Sequence, residues 1–289
     1  MIVLSWNIQN GKGTDNRISL ERIASVIRDM CTPDVICLQE VTRHLPLDAV
    51  NGAPDQAAEL EQLFPDYELT FGCAIEARLA GADGRWQFGN ATLSRLPVLS
   101  VFHHPLPQPA ESGVRHMPRQ ATEITVAQPN GPLRIINTHL EFHSARQRMA
   151  QVRRMRDLHD EAVANVQTPP NRDASGPYQM VARPEDCVVC GDFNMEPTFD
   201  EYAAMISSSK RGAPCFHDAW RIANGDRPHP PTCGIHDHDQ WPAGPHCRDF
   251  FFVSHTIASR SKEVQVDTVT NASDHQPLLL RLAEEQPIL

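Results

Sequence analysis

The chain has 289 residues, of which 40% are hydrophobic and 21% are charged, and its formal net charge is −10. This length allows one large domain or two ordinary ones, and the composition is that of a globular protein without low-complexity tracts. An evenly acidic surface repels polyphosphate, which argues against a general nucleic-acid binder but not against a local basic groove. Acidic residues gathered in a cleft would instead favour a hard cation.

The beginning of the chain and the cysteines indicate the compartment. The sequence starts directly with a strand-like segment and shows neither a signal peptide nor a transmembrane segment, so we expect a cytoplasmic protein. Eight cysteines follow no regular framework, and Cys187 and Cys190 stand three positions apart on a predicted strand, which directs their side chains to opposite faces. Reduced core thiols, with Cys215 among them, are therefore favoured over a zinc knuckle.

The first forty residues predict a strand, a helix and a second strand. The apolar run 1–8 predicts a short buried strand that ends near the polar Asn7. Residues 17–30 carry apolar side chains at helical spacing, which predicts a helix. Residues 34–38 predict a second buried strand, and Glu40 follows its end.

The same arrangement recurs in the second half of the chain. Residues 133–138 predict a strand that leads to His139, and residues 187–190 predict one that leads to Asp192 and Asn194. Further strands are predicted at 121–126, 250–253, 264–269 and 278–282. Strands outnumber helices without strict alternation, which favours an α/β sandwich of two mixed sheets with helices outside, formed by residues 1–289 as one domain. Pro-rich stretches predict long loops at 103–118, 168–186 and 225–248.

Residues suited to metal binding or acid–base chemistry follow predicted strands, or open them, at six points. These residues are Asn7, Glu40, His139, the Asp192/Asn194 pair, Asp249 and the Asp274–His275 pair. Each one alone is weak evidence, because Asp and Asn commonly form turns at strand ends. Six such points in one chain favour a functional site, and burying Glu40 or the Asp274–His275 pair without a function would be costly.

Structural interpretations stay open for several of these residues. Asn7 and Asn194 could cap turns, and His139 could be a core histidine with satisfied hydrogen bonds. Asp249 could be a structural partner of Arg248 or of a backbone amide.

Six short motifs resemble those of the endonuclease/exonuclease/phosphatase superfamily and occur in the same order: SWNIQ, LQE, NTHLE, GDFN, RDFFFVS and SDHQPL. The resemblance extends from residue 3 to about residue 280. It implies a four-layer αββα sandwich, with two mixed β-sheets packed face to face and helices outside. It also implies Mg²⁺ or Mn²⁺ as the cofactor and a phosphoester as the substrate.

The resemblance also assigns metal ligands. Glu40 would be the principal metal carboxylate, and Asn7 and Asp274 would complete the oxygen shell. Hard oxygen ligands of this kind suit Mg²⁺, which retains several waters and is also bound by substrate phosphate.

Five further residues would act on the substrate if the family's roles carry over. Asp192 would orient or deprotonate the attacking water, and Asn194 would hold the scissile phosphate. His275 would face the phosphate, oriented and kept cationic by Asp249. His139 would donate to a phosphate oxygen or assist the leaving group. Which residue is the general base stays open.

Two more residues are predicted to contact the substrate. A stretch resembling the family's G-N-A-x-L-S-R strand places Asn90 near it. Trp241, in the His-rich loop 229–247, would stack on a base or pack on an acyl or aromatic group. A zinc site of His236, His238, His246 and Cys247, or a plain ordered loop, are the alternatives for this segment.

The leading functional hypothesis is a metal-dependent phosphodiesterase that acts on a nucleic-acid end, an adduct or a phospholipid-type substrate. Residues 138–141 support it, because THLE resembles the sphingomyelinase, tyrosyl-DNA phosphodiesterase and deadenylase-like branches. The alternatives are a phosphomonoesterase for a sugar or inositol phosphate and a non-catalytic scaffold. No obligate protein partner is inferred.

Overall fold

The computed structural model describes residues 1–46, 54–78, 84–173, 175–179, 181–208 and 216–284. Within these residues the chain forms two β-sheets of six strands each. In chain order the strands are β1 (Ile2–Asn7), β2 (Val35–Arg43), β3 (Glu68–Arg78), β4 (Arg85–Ser94), β5 (Val98–Pro105), β6 (Gln120–Val126), β7 (Leu133–His139), β8 (Cys187–Asp192), β9 (Phe216–Asp218), β10 (Asp249–Ser254), β11 (Ser261–Val266) and β12 (Leu278–Leu282).

Both sheets are mixed. The first has the order β11-β12-β1-β2-β4-β3, and the second has the order β5-β6-β7-β8-β10-β9. Each contains one parallel pair, β1 with β2 and β7 with β8, while the other neighbours run antiparallel. The connections of the two parallel pairs carry helices, as parallel crossovers require.

Four of the five described helices cover the outer faces of the two sheets, and the fifth, Ala219–Asn224, packs against the apolar cluster between the sheets. The described helices are α1 (Leu20–Met30), α2 (Gln56–Leu63), α3 (Ala145–Gln167), α4 (Asp200–Ile206) and α5 (Ala219–Asn224), with short 3₁₀ turns at Gln9–Gly11 and His255–Arg260. The Ser19 hydroxyl caps α1 by accepting from Arg22 N, and the Ser144 hydroxyl caps α3 by accepting from Gln147 N. None of the described helices combines the length and apolarity that a membrane crossing requires.

Three apolar clusters separate four layers. One cluster joins α1 and α2 to the outer face of the first sheet, and another joins α3 and α4 to the outer face of the second. The third lies between the sheets, where Val3 and Val35 meet Ile135 and Val188. The predicted αββα sandwich is therefore confirmed.

Successive side chains of a strand point to opposite faces of its sheet, so a single strand contributes side chains to two of the apolar clusters. Cys187 faces α3, whereas Cys190 faces the other sheet, as the spacing of the two residues predicted. The seven cysteines in the described part of the chain are free thiols, and Cys215 lies outside the described residues.

One predicted strand is displaced along the chain. The pattern predicted 264–269, but β11 spans Ser261–Val266. The Asp267 side chain accepts a hydrogen bond from Val269 N, which turns the chain away from the sheet and leaves Val269 82% exposed.

The topology brings the polar strand ends to one edge of the sandwich. Because β1 and β2 are parallel, Asn7 pairs with Gln39, and because β7 and β8 are parallel, His139 pairs with Asp192. Strand β10 runs antiparallel to β8, so its first residue, Asp249, pairs with Asp192 at the same edge. Strand β12 likewise runs antiparallel to β1, which places residues 274–275 beside Asn7.

Candidate active site

A cavity of about 660 Å³ opens at this edge between the two sheets. Seven side chains predicted to bind metal or to catalyse line it: Asn7, Glu40, His139, Asp192, Asn194, Asp274 and His275. Trp241 lines it as well, whereas Asp249 lies behind His275. The cavity is therefore the candidate active site.

A β-bulge directs Glu40 toward the cavity. The register between β2 and β4 shifts between Leu38 and Val41, and the backbone of Glu40 has a positive φ of 59°. This left-handed conformation is unfavourable for a non-glycine residue and persists only where the surroundings enforce it. The Glu40 carboxylate accepts a hydrogen bond from Asn7 Nδ2 at 3.2 Å. Bulges typically re-aim side chains in this way beside active sites.

Gly191 allows Asp192 to reach the cavity edge. Its φ is 140°, and a Cβ atom there would come within 1.8 Å of the carbonyl oxygen of Thr138 on β7. Only glycine fits this close approach. After Asp192 the chain turns at Asn194, whose φ is 50° and whose backbone N–H donates to Asp192 Oδ1 at 2.8 Å. The turn and the carboxylate therefore hold each other in place.

His275 lies between two buried carboxylates. Its Nδ1 lies 2.8 Å from Asp249 Oδ2, and its Nε2 lies 3.6 Å from Asp192 Oδ2. Burial disfavours the imidazolium, but the carboxylates of Asp249, Asp192 and Asp274 outweigh that penalty and raise the pKa of His275 well above its usual value. His275 is thus a buried cation that faces Asp192.

His139 has the opposite character. Burial, together with the positive charge of Arg119, lowers the pKa of His139 to about 3. The ring is therefore neutral, and its Nε2 accepts a hydrogen bond from Asn194 Nδ2 at 3.1 Å. The proton then resides on Nδ1, which is buried without a partner and lies 4.0 Å from Glu40 Oε1. His139 therefore offers an unused N–H donor beside Glu40.

The Glu40 and Asp274 carboxylates fit a divalent cation. Burial and the neighbouring Asp274 charge raise the pKa of Glu40 to about 7, and burial likewise raises the pKa of Asp274. The positive charges of His275 and Arg119 do not outweigh burial at Glu40, nor does His275 at Asp274, and a hard cation would supply further positive charge to both carboxylates. Asn7 fits only after its amide rotates, because Nδ2 donates to Glu40 and Asp192 while Oδ1 accepts from Gln9 N at 3.1 Å.

A second group has the spacing of metal ligands among the described residues. Ligand atoms of Asp192, Asp249 and His275 lie within 4.8 Å of one another. However, His275 Nδ1 is engaged by Asp249, and the protonated ring has no lone pair for a metal. We therefore interpret this group as a hydrogen-bonded acid–base array, which leaves Glu40 and Asp274 as candidate cation ligands.

Buried hydrogen bonds hold the two sheets together below the cavity. Asn137, two residues before His139, donates from Nδ2 to Leu38 O at 3.2 Å and to Ala91 O at 3.0 Å in the opposite sheet. Its Oδ1 accepts from Gln39 Nε2 at 2.8 Å. Such satisfied buried networks fix the relative position of the groups they join.

The sequence of residues 4–275 matches the model of the Endonuclease/Exonuclease/phosphatase family. The chain belongs to this family. The family comprises hydrolases of phosphoesters, which agrees with the buried histidines and carboxylates that line the cavity.

Solved structures of similar fold include proteins with different substrates. The human Nocturnin catalytic domain with a bound sulfate anion is 20% identical over 98% of this chain and 94% of its own, with a TM-score of 0.60. A mannosyl-6-phosphatase from Bacteroides thetaiotaomicron is 17% identical, with coverages of 98% and 100% and a TM-score of 0.66. A Neisseria 3′ phosphatase bound to a product DNA hairpin is 17% identical, with the same coverages and a TM-score of 0.61. None of the curated proteins matches this chain.

Several cavity residues lie outside the family motifs and were not predicted. They are Arg115, His116, Met117, Arg119, Phe142, His143 and Gln240. Four of them lie in or just after the Pro-rich stretch 103–118, whose length was the available signal of a functional loop.

Arg119 is the most buried cation among these residues. Its side chain is 5% exposed, and Nε donates to Glu141 Oε2 at 3.3 Å. Its NH1 atom is buried without a hydrogen-bond partner. The register of β6 and β7 places Arg119 next to the end of β7, one strand beyond His139. A guanidinium with an unused donor thus lines the candidate active site.

The two residues predicted to contact substrate differ in placement. Asn90 is 3% exposed on β4 and is not among the residues that line the cavity. Trp241 lines the cavity but is only 5% exposed, because the Arg248 guanidinium lies 5.2 Å from its ring centroid and Phe142 and His275 pack against it. Its Nε1 donates to Asp274 Oδ2 at 3.3 Å. Trp241 thus holds the Asp274 carboxylate in place and presents little exposed surface on which a substrate ring could stack.

The histidines of loop 229–247 do not converge. His236 contacts Thr268 O at 3.0 Å, while His246 Nε2 accepts from Arg248 Nε at 2.8 Å. Within the described residues these side chains form no group with the spacing of metal ligands. The alternative of a zinc site in this loop therefore lacks support.

Proposed function

We propose that this protein is a Mg²⁺- or Mn²⁺-dependent phosphodiesterase that acts on small phosphodiesters, nucleic-acid ends or adducts. The observation that carries the proposal is the buried Asp192–His275–Asp249 array, which faces the Glu40 and Asp274 carboxylates across one cavity. Cytoplasmic location stays a prediction from the sequence.

The attacking water is activated by Asp192. Burial raises the pKa of this carboxyl, but the positive charge of His275 and the hydrogen bonds from Asn194 and Asn7 outweigh burial and lower it overall. The carboxylate is therefore ionised and its Oδ1 is held by Asn194 N. A fixed, ionised carboxylate in a closed site can orient a water and accept its proton.

Donors around the cavity neutralise the charge that develops on the phosphate. His275 supplies a buried cation, His139 an unused Nδ1–H, and Arg119 a free guanidinium nitrogen. Preorganised donors of this kind stabilise a phosphorane-like transition state more strongly than water does. Glu40 and Asp274, with Asn7 after its amide rotates, would hold the metal ion, and a bound ion would supply polarisation of the phosphoryl oxygens.

A phosphomonoesterase is the second candidate. The cationic side chains of Arg115 and Arg119 line the same cavity, and two guanidinium groups suit a phosphate dianion. A non-catalytic scaffold is disfavoured, because Glu40, Asp192 and His275 are all present and lie in one buried site.

A substrate panel tests the proposed function. With Mg²⁺ or Mn²⁺ at physiological salt, we expect hydrolysis of small chromogenic phosphodiesters and processing of end-labelled oligonucleotides, with little nicking of supercoiled plasmid. The reason is the net charge of −10, which repels long DNA everywhere except at local cations. Conversion of plasmid to nicked circle faster than any small substrate is cleaved would instead indicate a general deoxyribonuclease. Faster hydrolysis of phosphomonoesters would favour the second candidate.

Replacing Arg119 should weaken phosphate stabilisation. We expect Arg119→Gln to lower kcat/KM about 100-fold, and Arg119→Lys, which keeps the charge but not the planar donor set, to lower it less. The loss should be larger for a phosphomonoester dianion than for a diester. Arg153→Gln is the control, since Arg153 is exposed on α3 and does not line the cavity. Equal losses with Lys and Gln and a lowered melting temperature would mean that Arg119 only supports Glu141.

A further inference from the structure

The mouth of the cavity carries an exposed aromatic ring. Phe142 lines the cavity and is 39% exposed, whereas Trp241 beside it is 5% exposed. The centroids of the two rings lie 5.7 Å apart at an interplanar angle of 74°. A large apolar side chain that stays half-exposed at an enzyme's cavity mouth is available for ligand contact.

Neighbouring groups hold the Phe142 ring in one place. The Arg248 guanidinium lies 5.4 Å from its centroid, and the ring of His143 lies 4.7 Å away at 89°. Arg248 is itself fixed, because its Nε donates to His246 and its NH1 donates to Asn194 O at 3.1 Å. A ring ordered in advance loses little conformational entropy when a ligand packs on it.

A guanidinium lies on the other side of His143. Arg115 is exposed and lines the cavity, and its Nε and NH2 lie 3.0 Å and 2.8 Å from His143 Nε2. That ring nitrogen therefore accepts hydrogen bonds from the Arg115 guanidinium. In the described part of the chain Arg115 has no carboxylate within ion-pair distance, so its positive charge is available to an anion.

The three side chains form a continuous surface: an aromatic ring, an imidazole and an uncompensated guanidinium. An acyl chain would gain little binding free energy on this surface, because the apolar area is only one ring wide and is flanked by the polar side chains of Arg115 and His143. A simple sugar phosphate has no aromatic group that could stack on the Phe142 ring. A nucleobase stacks on such a ring, and a phosphate pairs with such a guanidinium.

We infer that this rim, made of Arg115, Phe142 and His143, binds a nucleotide unit of the substrate. The base stacks on Phe142, and a phosphate other than the scissile one binds Arg115. The inference rests on the proposed function for the role of the cavity, and it narrows the substrate from phosphoesters in general to nucleotides with a second phosphate.

Calorimetric titration of the full chain in EDTA, which stops turnover, tests the inference with three matched ligands: deoxyribose 5-phosphate, thymidine 5′-monophosphate and thymidine 3′,5′-bisphosphate. We expect the base to tighten binding about tenfold and the second phosphate to tighten it about fivefold further at low salt. The gain from the second phosphate should shrink as salt is raised.

Two pairs of variants assign these gains to residues. Phe142→Leu should remove most of the gain from the base, whereas Tyr178→Leu, which changes an exposed aromatic side chain outside the cavity, should retain it. Arg115→Gln should remove the gain from the second phosphate, whereas Arg153→Gln should retain it. Thermal unfolding of each variant verifies that the fold is intact.

The outcomes separate this inference from the proposed function. Equal affinities for the three ligands, no measurable binding, or gains that persist in Phe142→Leu and Arg115→Gln would overturn the rim inference. Hydrolysis of chromogenic phosphodiesters with Mg²⁺ is measured independently, and its presence would leave the proposed function standing in each of these cases. Its absence together with the expected affinities would refute the proposed function and leave the rim inference intact.

Discussion

Replacing Glu40 with glutamine should lower kcat/KM with Mg²⁺ by at least ~1000-fold. The change is nearly isosteric and removes the charged oxygen ligand, while Asn7 Nδ2 loses only one of its two carboxylate acceptors. The fold should persist, because the substitution also removes charge repulsion between Glu40 and Asp274. Kinetics on a small phosphodiester over a range of Mg²⁺ concentrations measure the effect.

Metal binding can be followed without turnover. In the unsubstituted protein we expect Mg²⁺ or Mn²⁺ to raise the melting temperature, because a cation bound by the folded state alone stabilises it. Glu40→Gln should lose this increase. Glu76→Gln is the matched control, since Glu76 is an exposed carboxylate on β3 that pairs with Arg85. Near-normal activity of Glu40→Gln at saturating Mg²⁺ would exclude Glu40 from the metal site.

The Asp249–His275 pair should behave as one unit in a double-mutant cycle. We expect His275→Ala to lower kcat about 1000-fold, because it removes the cation that faces Asp192. Asp249→Asn should lower kcat only about 30-fold, since the carboxylate acts by orienting and charging the imidazole through the 2.8 Å contact. The double variant should then resemble His275→Ala within about threefold.

A buried Asp–His pair outside the cavity provides the control for this cycle. Asp218 accepts from His229 at 2.5 Å and also caps α5, but neither residue lines the cavity. Asp218→Asn should therefore lower the melting temperature and leave kcat unchanged. Additive losses for Asp249 and His275 would show that the two side chains act independently, and the assignment of Asp249 as a positioning residue would then be wrong.

The sequence by itself determined the layers of the fold and the ends of the strands that carry polar residues. The patterns of 133–138 and 187–190 predicted buried strands, and the polar residues that follow such strands were expected at a sheet edge. The order of the six motifs that resemble the family then implied that these strand ends meet at one edge of the sandwich. The parallel pairs β1–β2 and β7–β8 bring Asn7, His139 and Asp192 to the same edge. The prediction of one domain over residues 1–289 stays a prediction.

Tertiary structure alone decided what surrounds those residues. Loop residues carry no periodic pattern, so nothing local in the sequence predicts that Arg115 and Arg119 reach the cavity or that Phe142 stays exposed while Trp241 is buried. Protonation is equally non-local: His139 and His275 are both buried histidines, yet one is neutral and the other cationic. Burial lowers the pKa of both rings. Arg119 adds to this effect at His139, whereas the carboxylates of Asp249, Asp192 and Asp274 outweigh it at His275.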